Sequence, residues 1–227
     1  MVTIVVFGER IEHAENVAEN KFRECPWQFF DGVPDSFPEK LIWGDFAVTR
    51  VMNSGLRNGL IPDMKSVGLK KANDVLATIP RQMSLVELAD DSDIYEKVKC
   101  LFEALRRDGV GLSRISKVLC RKRPELILML DSVVTNFLRK IATRWETGIG
   151  NPPRWFDEAW KSWTEPHDPT FYMRMARCAL LGADGDVRAV RSHVASIPET
   201  GVPEDACLLR IWEATLFWHL YPAGARP

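Results

Sequence analysis

The chain reads as an all-α protein with a minor β element at its N terminus. Three observations predict this. Apolar residues recur at helical spacing, most clearly Ile94, Val98, Leu101, Phe102 and Leu105, which fall at i, i+4, i+7, i+8 and i+11. Capping residues and glycine or proline stops bracket these runs, as Asp93 and Gly109 do here. Only residues 2–7 (Val-Thr-Ile-Val-Val-Phe) form a β-branched run, so one strand pair at most is expected.

The elements follow in order. Residues 2–7 make the strand, ended at Gly8, and residues 10–20 a polar helix. From Cys25 to Pro38 aromatics, glycine and proline crowd together, which predicts an ordered loop. Ser36-Phe37-Pro38-Glu39 is a capping box with proline near the first turn, so a helix should run to about Asn53 and stop near Gly55. Pro62 and Gly68 punctuate the next stretch, and a helix covers residues 70–77 before Pro80. Residues 93–107 are the clearest helix. Another begins near Leu112 and ends about Cys120, with Leu112, Ile115, Val118 and Leu119 on its apolar face. Residues 127–130 form an apolar connector. Asp131 caps a helix carrying Val133, Val134, Phe137, Leu138, Ile141 and Trp145, and residues 148–153 break the pattern. Later helices cover residues 155–163, start at Asp168-Pro169, start again after Asp184, and start finally at Pro203, where Leu208, Trp212 and Leu216 turn inward. The total is roughly nine or ten helices, with no internal repeat.

Composition narrows the function. Apolar residues are 46% and charged residues 27% of the 227, enough for a core without disulfide or metal staples. No run of 18 apolar residues exists, which argues against a membrane span. The apolar start lacks a basic n-region, so a signal peptide is not expected and the location should be cytoplasmic. The five cysteines are odd in number and no two stand closer than 20 residues, so neither zinc-ligand nor iron–sulfur spacing is present. They should be reduced thiols. His13, His167, His193 and His219 have no partners at metal spacing, and neither metal nor cofactor is expected. Net charge is −1, which does not by itself suggest a polyanion binder. The charge is segregated, however. Residues 106–123 hold Arg106, Arg107, Arg114, Lys117, Arg121, Lys122 and Arg123 against the single acid Asp108.

That segment carries the chemistry. Two helices meet across Gly109-Val110-Gly111. Glycines permit the positive φ values and close backbone approach of a tight hairpin. The second helix then offers free N–H groups at its start, a ready seat for phosphate. Ser113, Arg114, Lys117 and Arg121 add donors and charge, and such contacts position a nucleic acid without reading its sequence. Taken alone, a Gly-x-Gly turn is often only a turn, and Arg121-Lys122-Arg123 only a solvated helix end favoured by the dipole.

The Gly-Val-Gly turn is followed, 22 residues after Gly109, by Asp131 at a helix start. Between them runs Arg123-Pro124-Glu125-Leu126-Ile127-Leu128-Met129-Leu130, and Ser132-Val133-Val134 comes after. This block resembles the helix-hairpin-helix superfamily of DNA glycosylases, whose members carry a Gly/Pro-rich loop and an essential aspartate, and within it a bacterial branch. The resemblance is strong over residues 93–145 and weaker over about 36–220. It implies two helical lobes with a cleft between them. Residues 1–39 would pack with a C-terminal lobe of residues 132–227, and residues 40–131 would form a middle lobe holding the hairpin at about 93–121. Asp131 would sit at the cleft mouth as the catalytic carboxylate, stabilising an oxocarbenium-like sugar while the target base is flipped from the stack. The helix dipole and free N–H groups should favour its charged form. Trp27, Phe29, Phe30, Trp43, Trp145 and Trp155 are candidates to line the base pocket, although each tryptophan taken alone reads as core.

Two positions depart from the family pattern. Ser113 stands where members that also cut the backbone carry lysine, so the expected enzyme is monofunctional and leaves an abasic site. Met129-Leu130 stands where many members have Pro-Val. The expected partner is duplex DNA, bound by a monomer, and the excised base is a damaged one in repair or a hypermodified one in phage DNA. The alternative is a non-catalytic glycosylase-like module that only binds DNA. In that case Asp131 is a helix cap and nothing more.

Overall fold

The N terminus folds as a hairpin. In the computed structural model, which describes residues 1–24, 37–48, 68–107, 110–157, 160 and 168–220, β1 (Ile4–Val6) pairs antiparallel with β2 (Glu9–Ile11). The register sets Ile4 opposite Ile11 and Val6 opposite Glu9. The two turn residues Phe7 and Gly8 have φ of 54° and 85°, the left-handed pair that a two-residue hairpin turn needs. The strand was legible in the sequence. Its partner was not, because Glu9-Arg10-Ile11 is polar and continues into the helical pattern. Helix α1 therefore spans Ala14–Glu24 rather than starting at residue 10.

The chain is mostly helical, as expected. After α1 come α2 (Trp43–Val48), α3 (Gly68–Leu76), α4 (Ile94–Leu105), α5 (Leu112–Lys122), α6 (Ser132–Glu146), α7 (Pro169–Ala195) and α8 (Leu208–Leu220). Short 3-10 turns occur at Leu85–Glu87 and Pro198–Thr200. The helix expected from the capping box begins later than predicted. Phe37 to Lys40 forms a turn instead, closed by the Lys40 N–H on the Phe37 carbonyl at 3.0 Å. Asp45 accepts from the Ile42 N–H at 2.7 Å at the start of α2. Ser36 and the C-terminal part of that predicted helix lie outside the described residues, as does most of the helix expected over 155–163.

The two helices expected on either side of Asp184 are one. Helix α7 runs for 27 residues and kinks at Ala183, where φ is −129° and ψ 16°. Two glycines, Gly182 and Gly185, flank the kink and weaken the helix there without ending it. Asp168 caps its start by accepting the Thr170 N–H at 2.8 Å, with Pro169 in the first turn. Helix α7 packs against β1, α1, α4, α6 and α8, and one continuous apolar cluster runs from Ile4 to Leu216. The last helix starts at Leu208, not at Pro203. Residues 203–206 form a turn instead, closed by the Ala206 N–H on the Pro203 carbonyl at 3.0 Å.

The basic run at the end of α5 is not a solvated helix end. Arg121, Lys122 and Arg123 are all buried. Arg123 donates to the backbone carbonyls of Ile79, Leu76, Pro38 and Lys122 at 2.8–3.2 Å and reaches Glu39 at 3.0 Å. Lys122 pairs with the buried Asp45 at 2.9 Å and donates to the Phe37 carbonyl. Arg121 lies 3.6 Å from the same Asp45. These three side chains tie α5 to residues 37–45 and to the end of α3. A buried charge is tolerated when its donors are saturated in this way.

Candidate nucleic-acid interface and carboxylate site

The hairpin forms between α4 and α5. The Val110 N–H donates to the Arg107 carbonyl at 2.8 Å, and Val110 is buried beneath the turn. Asp108 and Gly109 lie outside the described residues. Gly111 is the N-cap residue of α5, with φ −91° and ψ −174°, so the positive φ expected of it is not used. It is exposed, and a Cβ added there would meet nothing within 4 Å. Glycine therefore leaves open space at the helix start and provides no side-chain cap for the first-turn N–H groups. Ser113, Arg114 and Lys117 follow on α5, all half-buried, while Arg106 and Arg107 are exposed on the other side of the turn. Arg121, predicted as a fourth backbone contact, is corrected by its burial against Asp45.

Asp131 is the N-cap of α6. Its Oδ1 accepts from the Val133 N–H at 2.8 Å and the Val134 N–H at 2.9 Å. Its Oδ2 takes no hydrogen bond among the described residues. The two residues before it are anchored. The Leu130 N–H donates to Ser116 Oγ of α5 at 2.9 Å, and the Met129 N–H to Glu213 Oε2 of α8 at 3.2 Å. Glu213 is itself buried and accepts from Arg210 at 2.7 Å. The connector thus sets the carboxylate against the second hairpin helix.

Two cations act on that carboxylate, Lys117 of α5 first and Lys21 of α1 after it. Burial nevertheless dominates and raises the Asp131 carboxyl above its ordinary value, against the Val133 and Val134 N–H groups and both lysines. The N–H groups at the helix start do favour the charged form, as expected, and burial outweighs them. Burial also lowers the Lys117 ammonium, with Asp131 opposing that shift. Sequence reasoning missed Lys21, Ser116 and Glu213, and placed Lys117 only on phosphate. The spacing offered one signal: Lys117 is four residues beyond Ser113 and so shares its helix face.

The aromatic candidates separate. Trp27 and Phe30, with Phe29, lie outside the described residues, and so does the side chain of Trp43. Trp145 is corrected to core. It is buried and makes edge contacts with Phe7 at 5.0 Å and Phe156 at 5.1 Å. Trp155 is half-buried beside Phe156 and Phe171. A shallow groove of about 460 Å³ between α3 and α4 is lined by Lys71, Asp74, Thr78, Asp93, Lys97 and Cys100, and neither Trp145 nor Trp155 lines it. Among the described residues no cluster suited to a metal ion occurs, and no helix is long and apolar enough to cross a membrane. Burial pushes the Cys207 thiol up to about 11 and raises Cys178 as well, so neither is poised as a nucleophile.

A family model described as a family of unknown function, DUF6308, matches residues 65–212, a span holding both hairpin helices, Asp131 and α7. No curated protein and no solved structure matches the chain.

Proposed function

The chain belongs to the DUF6308 family, and we propose that it is a monofunctional DNA glycosylase of the helix-hairpin-helix type, with Asp131 as its catalytic carboxylate. The observation that carries this reading is the pairing of two features. A capped carboxylate keeps one oxygen that takes no hydrogen bond among the described residues, and it lies within electrostatic reach of Lys117 on the helix that leaves the Gly-Val-Gly turn.

The chemistry follows from that arrangement. The open start of α5 at Gly111 takes a phosphate through backbone N–H groups, and Arg114 and the exposed Arg106 and Arg107 add charge. A nucleotide extruded next to that phosphate brings its deoxyribose toward Asp131. As the N-glycosidic bond lengthens, positive charge develops on the sugar, and Oδ2 stabilises it or orients the attacking water. A carboxyl partly desolvated, with a raised pKa, strengthens that interaction because little water competes for it. Ser113 supplies no amine. Lys117, one turn further along, is the neighbouring amine, and its role here is to hold the carboxylate charged.

A panel of duplexes, each with one alkylated, oxidised or hypermodified base, tests the reading after alkaline cleavage of the products. Wild type should create abasic sites on at least one duplex, and Asp131→Asn should not. Borohydride should trap no covalent adduct. An adduct that disappears in Lys117→Ala would make the enzyme a lyase as well. Binding that weakens with salt, ignores Asp131→Asn and yields no product on any duplex would favour the non-catalytic module.

A further inference from the structure

Away from the hairpin, polar donors of α4 and α7 stand without hydrogen-bond partners among the described residues. Arg174 of α7 lies with its guanidinium 4.1 Å from the ring centre of Tyr95, the second residue of α4, and 6.0 Å from that of Trp155. It is half-buried, and among the described residues none of its N–H donors meets an acceptor. Arg177, one turn on, gives one donor to Asp90 at 2.8 Å and keeps a buried Nε with no partner. The Tyr95 hydroxyl is also buried without a partner, on a residue only 3% exposed.

The contrast with Arg123 is informative. That guanidinium is a structural one, and backbone carbonyls saturate it. Arg174 is held by aromatic faces instead, an arrangement that fixes the plane of the fork and leaves its edge for a ligand. Burial raises the Tyr95 phenol, so it stays a neutral O–H donor under Arg174, Arg177 and Asp90. The Arg174 fork, the Arg177 Nε that Asp90 does not use and the Tyr95 hydroxyl supply more donors than the two oxygens of a carboxylate can absorb. A phosphoryl group, with three or four oxygens and negative charge, matches them.

We propose that Tyr95, Arg174 and Arg177, walled by Trp155, form a seat for a phosphoryl group. The seat stands independently of the glycosylase reading, and its occupant is either a nucleic-acid phosphate or a free phosphate ester.

Pyrophosphate and, separately, a short undamaged duplex are titrated into wild type, Arg174→Lys and Tyr95→Phe, read by calorimetry. In wild type the Arg174 Nε–Hε resonance is followed as well. Pyrophosphate should move that resonance and should bind at least about tenfold more weakly to Arg174→Lys, which keeps the charge but loses the fork. Tyr95→Phe should weaken it by less. A parallel loss of duplex affinity assigns the seat to nucleic acid, and a loss confined to pyrophosphate assigns it to a free ester. A resonance that stays still up to about 1 mM pyrophosphate, or affinity indifferent to Arg174→Lys, overturns the proposal. Gly111→Asp should spare pyrophosphate binding, so failure of the hairpin reading and failure of this seat are told apart.

Discussion

Asp131 carries two demands on one carboxyl. Oδ1 caps α6, and the proposed chemistry uses Oδ2. Asparagine preserves the cap and removes the charge, so Asp131→Asn should abolish base release without unfolding the protein. Alanine removes both and should cost about 1 kcal/mol in urea unfolding. The raised carboxyl sets the sign of a pH effect. Because burial disfavours its ionisation in the folded state, wild type loses stability as pH rises through the folded value, and none of this penalty acts below the unfolded value. The stability of Asp131→Asn relative to wild type should therefore increase from about pH 4 to about pH 7. The cap was legible in the sequence because it is local. The net direction of the shift was not, since Lys117 and Lys21 reach Asp131 from α5 and α1 and burial outweighs both.

At the scale of elements, α5 divides into an open start, which the proposed function uses, and a structural end. Its start is open at Gly111, where an added Cβ meets nothing. Gly111→Asp should leave stability unchanged or raise it by a few tenths of about 1 kcal/mol, since aspartate is the better cap, yet it should repel phosphate and weaken duplex binding in a filter or anisotropy assay. Its far end is a clamp. Arg123→Ala leaves several carbonyls without their donor and should destabilise by about 3–5 kcal/mol, whereas Glu39→Gln, at a side chain 62% exposed, should cost less than about 1 kcal/mol. Thermal melts of the two variants separate these roles. Charge counting could not make the division, because seven basic residues in a row of eighteen look alike until α2 and residues 37–40 fold against three of them.

Over the whole molecule, helix α7 joins the segments that the sequence reads separately. It touches β1, α1, α4, α6 and α8. The break expected near Asp184 became a kink at Ala183 because packing on those neighbours outweighs the local weakness of two glycines. The fold class was legible from helical spacing, while the aromatic candidates were not separable by spacing: Trp145 went to core, and Trp155 to the side of Arg174. Burial also leaves fewer cations for the proposed DNA contact than composition suggests. Removing Arg114 should reduce the slope of log affinity against log salt by about 1, and a folded conservative variant of Arg121 should not change it.

The most direct measurement is single-turnover base release from the duplex found active, followed against pH with wild type and Asp131→Asn. The wild-type rate should fall on the acid side at a pH above the ordinary aspartate range, and the asparagine variant should be slower by at least about a hundredfold at neutral pH. Equal rates for the two proteins, or a wild-type profile with no acid limb, would contradict catalysis by Asp131.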